Sequence, residues 1–263
     1  MSPFPDFNRI NDTRFGRMIY NVNDRYIGRS IQSYGEFSHG EVVLFEQILR
    51  PGSVVVEAGA NIGSHTLALA QQTGPRGAVF AFEPQRILFQ TLCGNMALNS
   101  VTNARCSQAA LGSESGEIIV PQIDYCRENN YGGFALGSYE RGERVSLVTI
   151  DGLSLPRCDL IKIDVEGMEE SVLRGAQETI ARFRPPLYVE CHDDASLMRY
   201  IDSIDYDMYW HMPPFFNPNN FAGNRTNIFG SICSQNILCV TEDLDHSIDG
   251  LQRVELPDQQ ELS

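Results

Sequence analysis

Several things are scarce in this sequence, and each shortage excludes something. No apolar run in its 263 residues approaches the length that crosses a bilayer, so a transmembrane helix is excluded and no membrane partner is expected. The opening stretch Met1-Ser2-Pro3-Phe4-Pro5 has neither a basic segment nor an apolar one after it. No secretory signal is visible, which makes the cytoplasm the expected compartment. Cysteine is present seven times, at 93, 106, 126, 158, 191, 233 and 239, but never as a Cys-x-x-Cys pair. An odd, scattered set of thiols argues against a disulfide framework or a zinc site. Positive charge is also short: 20 Lys and Arg stand against 34 Asp and Glu, a net charge of −14. Nucleic-acid binders need a basic stripe to replace the counterions on phosphate, and the basic residues here are dispersed, so no nucleic-acid partner is expected.

What is present is an alternation of strand and helix patterns. Residues 1–38 are polar and aromatic and read as an N-terminal cap or β-ribbon. Apolar positions at helical spacing over 40–50 end at Pro51-Gly52. Strand patterns then fall at 54–56, 78–82, 104–111, 160–163 and 187–189, with helical patterns at 66–72, 87–98 and from about 169 through Ile180. This rhythm predicts right-handed βαβ units and a doubly wound, mostly parallel α/β sheet. Residues 112–150 interrupt it with two strand patterns around a loop rich in Gly, Asn and Tyr, the kind of insertion that forms a lid or substrate wall. The last stretch, 241–263, is an acidic tail.

Four motifs carry chemistry. Val54-Val55-Val56-Glu57-Ala58-Gly59-Ala60-Asn61-Ile62-Gly63 is a buried strand ending in an acid, followed by a glycine turn that opens a helix. Glycine lets backbone approach a ligand closely, and the helix start offers free N–H groups. An acid before the turn repels a pyrophosphate but suits the amino group of a methionine moiety. Phe82-Glu83-Pro84 ends the next strand with an acid able to accept hydrogen bonds from a ribose diol. Lys162-Ile163-Asp164-Val165-Glu166-Gly167-Met168-Glu169 places carboxylates where open α/β sheets bind ligands, with Lys162 and Asp164 on one strand face. Glu166 and Glu169 also suit the start of the following helix. Glu190-Cys191-His192-Asp193-Asp194 supplies a histidine suited to proton transfer near neutral pH. Asp164, Glu190 and His192 could together hold a divalent cation, although carboxylates at strand ends serve many purposes and no metal site is predicted.

The stretches Glu57–Gly63, Phe82–Pro84 and Lys162–Glu169 resemble the signature stretches of the FkbM family of methyltransferases, with similarity running from about residue 40 to His192. The resemblance implies a seven-stranded class I methyltransferase fold, Rossmann-like, over 39–240. It also implies S-adenosylmethionine as donor and a hydroxyl group as usual acceptor. Glu57 stands where many relatives carry Asp, a conservative departure.

The expected function is therefore methyl transfer to a hydroxyl of a small molecule, sugar or natural product, a glycan included. Glu57, Gly59, Asn61 and Gly63 would hold the methionine end, Glu83 the ribose and Ala110 the adenine. His192 is the expected general base, with Asp164 orienting it or the acceptor, or holding the methionine amino group. Tyr34 or Ser38 would close over the methionine end. Asn130, Tyr131, Gly132 and Gly133, with Trp210, Phe215 and Phe216, would shape the acceptor pocket. Transfer to nitrogen or carbon, an NAD-dependent oxidoreductase and a non-catalytic adenosyl-ligand binder remain as alternatives. Sequence leaves the acceptor and the oligomeric state open.

Overall fold

In the computed structural model, residues 4–136, 139–242 and 250–256 are described. A hairpin of β1 (Asn8–Thr13) and β2 (Gly16–Asn21) comes first, then α1 (Ile27–Tyr34) and α2 (His39–Ile48). The alternating part follows: β3 (Val54–Ala58), α3 (Ser64–Thr73), β4 (Ala78–Phe82), α4 (Arg86–Leu98) and β5 (Ala104–Ser107). Next come β6 (Ala109–Leu111), β7 (Gly116–Val120) and β8 (Glu143–Val148), which form a separate three-stranded sheet in the order β6-β8-β7. The chain then returns through β9 (Leu160–Ile163), α5 (Glu169–Arg174), α6 (Gln177–Phe183), β10 (Leu187–Glu190) and α7 (Ala195–Ser203). It finishes with β11 (Asp207–His211), β12 (Asn236–Val240) and β13 (Gln252–Arg253).

The main sheet has eight strands in the order β13-β11-β12-β10-β9-β3-β4-β5, one more than the seven expected, and it is mixed. Strands β5, β4, β3, β9 and β10 are parallel, whereas β12 runs antiparallel to both β10 and β11. All five residues of β12 are buried, so it lies in the sheet as an interior strand. The added strand β13 is two exposed residues pairing with Tyr209 and Trp210. It belongs to the region expected as an acidic tail; positions 243–249 and 257–263 of that region lie outside the described residues.

Two further expectations are corrected. The strand pattern over 104–111 breaks at Gln108: β5 stays beside β4, while β6 leaves to pair with β8. The helical pattern from 169 onward divides at Gly175, where a Cβ would fall 1.9 Å from the Gly112 carbonyl oxygen. The helix break passes too close to the backbone for any side chain there.

The sheet is covered on both faces, because alternate strand residues point opposite ways. Val56, Ile161 and Val189 face Val172, Ile180 and Leu197 of α5, α6 and α7. Their neighbours Val55, Leu160 and Tyr188 face Leu67, Leu92 and Phe45, of α3, α4 and α2. The Met18 and Tyr20 side chains of the hairpin extend this second core. The chain moves outward from β3 through β4 and β5, then returns to the other side of β3 with β9 and β10. The reversal opens a crevice at the carboxyl ends of β3 and β9, where such sheets bind ligands.

Candidate active site

Strand β3 leaves its sheet at Gly59, whose φ is 81°. A Cβ there would lie 1.7 Å from the Asp164 carbonyl oxygen, so glycine is required by both conformation and space. The Gly59 and Ala60 N–H groups both donate to the Phe82 carbonyl, at 3.0 and 2.9 Å, drawing the turn over the end of β4. The Asn61 N–H donates to Glu83 Oε2 at 2.9 Å, and Glu83 Oε1 accepts the Gln85 N–H at 2.8 Å. Glu83 thus locks the glycine turn to the β4–α4 loop. Burial pushes its carboxyl up to about 7, against the pull of those two donors.

Beneath the turn lies a buried charge cluster. Glu57 Oε2 accepts the Thr66 hydroxyl at 2.5 Å. Burial pushes Glu57 up to about 7, while the Lys162 charge opposes the shift. Sheet register sets Lys162 between Glu57 of β3 and Tyr188 of β10. Lys162 Nζ sits 3.2 Å from Asp164 Oδ2 and is 2% exposed. Burial works to lower the Lys162 pKa, but Asp164, Glu57 and Glu41 outweigh it and raise the value. Glu41 of α2 accepts the Ser38 and Ser234 hydroxyls at 2.7 and 2.8 Å, and burial pushes its carboxyl up. His65, 5% exposed, is held neutral: burial and then Lys162 lower its pKa to about 3. Its Nε2 has no hydrogen-bond partner among the described residues and lies 3.9 Å from Glu41 Oε2.

A second acidic group closes the crevice on the β10 side. One carboxylate oxygen each of Asp164, Glu166 and Glu190 lies within 4.8 Å of the others. Crowding has its electrostatic result. Burial, then Asp164, Glu166 and Glu169, push Glu190 up to about 10; burial and Asp164 push Glu166 up to about 7. His192 is not part of this group. Its Nε2 is 3.2 Å from Glu190 Oε1 and its Nδ1 is 2.7 Å from Gln235 Oε1, with the side chain 62% exposed. Glu169 instead accepts the Gly167 N–H before α5, and Asp194 accepts the Ser196 and Leu197 N–H groups as the cap of α7.

These groups line a cavity of about 320 Å³ that includes Glu57, Asn61, Glu83, Lys162, Asp164 and His192. A narrower slot of about 40 Å³ joins it at Gly59, Glu83 and Gly132, walled by Ala109, Ala110, Leu111, Phe134 and Met168. Phe37 and Phe215, 5.0 Å apart edge to face, form an aromatic wall of the larger cavity with Tyr26. Of the residues expected at the site, Glu57, Gly59, Asn61, Glu83, Asp164 and His192 line the larger cavity and Ala110 the slot. Gly63 acts one step back, at φ 86° before α3.

Others fall elsewhere. Tyr34 is fully buried, its hydroxyl donating to the Thr226 carbonyl, and the buried Ser38 does not line the cavity but bonds to Glu41 and Ser234, which do. Asn130 and Gly132 line the cavity, but the Tyr131 hydroxyl turns to the Tyr125 and Arg127 carbonyls. Phe215 faces the cavity, whereas Trp210 and Phe216 line a separate surface groove. Residues not assigned from sequence include Tyr26, Phe37, Glu41, His65, Gln85 and Lys162. His65 carried a readable signal, standing two residues past Gly63 at the helix start; Glu41 did not, since it sits within α2, outside the strand-end motifs.

The sequence profile of the methyltransferase FkbM domain matches residues 57–208, more than half of the chain. The chain belongs to the FkbM methyltransferase family. Among curated relatives, Methyltransferase 1 of Beauveria bassiana (strain ARSEF 2860) is 29% identical over 151 residues, 48% of this chain and 59% of that protein. Methyltransferase sdnD of Sordaria araneosa is 27% identical over 184 residues, 57% of this chain and 70% of that protein. The FkbM methyltransferase of Methylobacillus flagellatus KT is 20% identical with a TM-score of 0.49, covering 73% of this chain and 44% of that one. M. jannaschii TYW2, solved with AdoMet, is 12% identical with a TM-score of 0.48, covering 91% and 88%. This FkbM chain therefore spans less than two thirds of the length of the Beauveria relative and under half that of the Methylobacillus protein. No helix among its described residues is long and apolar enough to cross a membrane.

Proposed function

We propose that this FkbM-family protein transfers the methyl group of S-adenosylmethionine to a hydroxyl of a small molecule, sugar or natural product. One observation supports this reading above the rest: a mostly apolar slot, with Glu83, Asp164 and Glu166 at its mouth, opens into a cavity lined by those three carboxylates, by Glu41, Glu57 and Glu190, and by one lysine. The slot suits a flat heteroaromatic ring against Ala110, and Glu83 a ribose diol. The cavity beyond suits a ligand carrying positive charge. A dinucleotide would bring its pyrophosphate to the same turn, against Glu57 and Glu83, with the Asn61 N–H already engaged.

When bound, S-adenosylmethionine supplies an electrophilic methyl group on a sulfonium. Glu57, Asn61 and Asp164 hold the methionine end, with Gly59 and Gly63 giving the turn its shape. Tyr26, Phe37 and Phe215 form the apolar wall of the acceptor space. His192 accepts the hydroxyl proton at Nε2, the atom that faces Glu190, while Asp164 orients the acceptor. The main rate contribution is alignment of acceptor oxygen with methyl group, and no metal ion is assigned a role. The test is isothermal calorimetry with S-adenosylmethionine and with NAD, repeated on Glu83→Ala. Binding of the adenosyl sulfonium alone, weakened in the variant, is expected. Binding of NAD, or of neither, would overturn the proposal.

A further inference from the structure

Lys162 is the only lysine in the chain; the other nineteen basic residues are arginines. A lone lysine on a surface would say little. This one is 2% exposed, on central strand β9, and it faces the cavity. A buried ammonium carries a desolvation cost of several kcal/mol, tolerated only where opposite charge surrounds it. Carboxylates do so from three elements: Glu57 from β3, Glu41 from α2, and Asp164 from the end of β9. Neutral His65 of α3 and Tyr188, the register neighbour on β10, complete the surroundings, with Glu190 further out. Arginine would not serve in this place, because its planar fork spreads charge over a larger volume than one buried ammonium occupies.

We infer that Lys162 is the positioning residue of the cofactor site: its ammonium holds Asp164 and favours the charged form of Glu57, and so sets the affinity for a cationic ligand. The inference rests on the proposed use of S-adenosylmethionine. Glu41 and Glu57, buried beside one another with the half-exposed Asp164 next to them, repel one another and take up protons unless a cation stands among them. One lysine against three carboxylates leaves the cluster with an excess of negative charge. That excess is what a sulfonium and an ammonium, arriving together, neutralise. Without the lysine, protons would occupy the carboxylates and the cluster would lose its hold on such a ligand.

The test uses the full chain, with S-adenosylmethionine as probe, in wild type, Lys162→Met and Lys162→Met/Glu41→Gln. Wild-type binding is the control for the function itself; no binding there would strike the underlying reading and not the role of the lysine. In Lys162→Met the affinity at pH 7 is expected to fall on the order of 30-fold or more, the usual result of removing one partner from a buried charge pair. Because the freed carboxylates protonate at higher pH, affinity in this variant should climb as pH rises from 7 to 9, a climb larger than in wild type. Adding Glu41→Gln removes one repelling carboxylate and should recover part of the loss.

Single-lysine composition gives a direct spectroscopic readout as well. Lysine labelled with ¹³C at Cε, in protein carrying a lysine-free tag, should give one side-chain resonance that holds its ammonium position to pH 10 and moves when S-adenosylmethionine is added. Binding within twofold of wild type in a folded Lys162→Met, or a lysine resonance unmoved by the ligand, would overturn the inference. Should Lys162→Met fail to fold, recovery of folding in the double variant would support the charge pairing. Failure of both would make Lys162 a packing element and refute the role.

Discussion

Glu57→Gln should make the ligand-free protein more stable above pH 7 while removing its affinity for the cofactor. Burial raises the Glu57 carboxyl from the ordinary 4.5 to about 7. The folded state therefore binds this proton more tightly than the unfolded state does. The stability contributed by the group is complete below pH 4.5 and is lost as pH rises through about 7. A shift of about 2.5 units corresponds to about 3 kcal/mol of penalty for carrying the charge folded at pH 8. Glutamine keeps the shape and can still accept the Thr66 hydroxyl, the bond made at 2.5 Å by Oε2. Against the gain stands Lys162, which loses one of three carboxylates but keeps Asp164 and Glu41. The net expectation is a stabilisation of about 1–2 kcal/mol at pH 8, vanishing near pH 5 where Glu57 is protonated in wild type. For a chain of this size it corresponds to a rise of roughly 2–8 °C in Tm. Urea unfolding at pH 5, 6, 7 and 8, on both proteins without ligand, measures it. A variant less stable than wild type at pH 8, or a difference that does not change with pH, would refute the reasoning. Calorimetry on the same samples should find cofactor affinity lost, separating the stability of the site from its use.

Two other outcomes follow from named contacts. Gly59→Ala forces a Cβ to within 1.7 Å of the Asp164 carbonyl at a φ of 81°; unfolding experiments should find a loss of about 3 kcal/mol or more, and cofactor binding should go with it. His192→Ala, on a side chain already 62% exposed, should leave Tm nearly unchanged but lower kcat by about 10²–10⁴-fold with a hydroxyl acceptor; equal turnover would reassign the base or point to an acceptor that needs none.

The alternating strands and helices were legible in the sequence because a parallel sheet covered on both faces demands apolar runs of strand length separated by helical periods. Glu57 and Glu83 were legible for a related reason: each is the first charged residue after such a run, so it must stand at the sheet's carboxyl edge. The failures share a different cause. Nothing local marks Gln108 as the point where one strand hands over to a second sheet, since the residues on both sides are equally suited to extended backbone; β8, more than thirty positions later, decides it. The split at Gly175 is likewise dictated by the Gly112 backbone, and the antiparallel entry of β12 by a loop with no regular pattern. Glu41, and the exclusion of Trp210 and Phe216 from the cavity, depend on how α2 and the segment after β11 settle over the sheet edge. Lys162 is the instructive case. Strand alternation puts it on the face of Asp164, but only the register with β3 brings Glu57 alongside, and only α2 adds Glu41. A single lysine meets one carboxylate through its own strand and two through long-range contacts, which its neighbours in sequence do not encode.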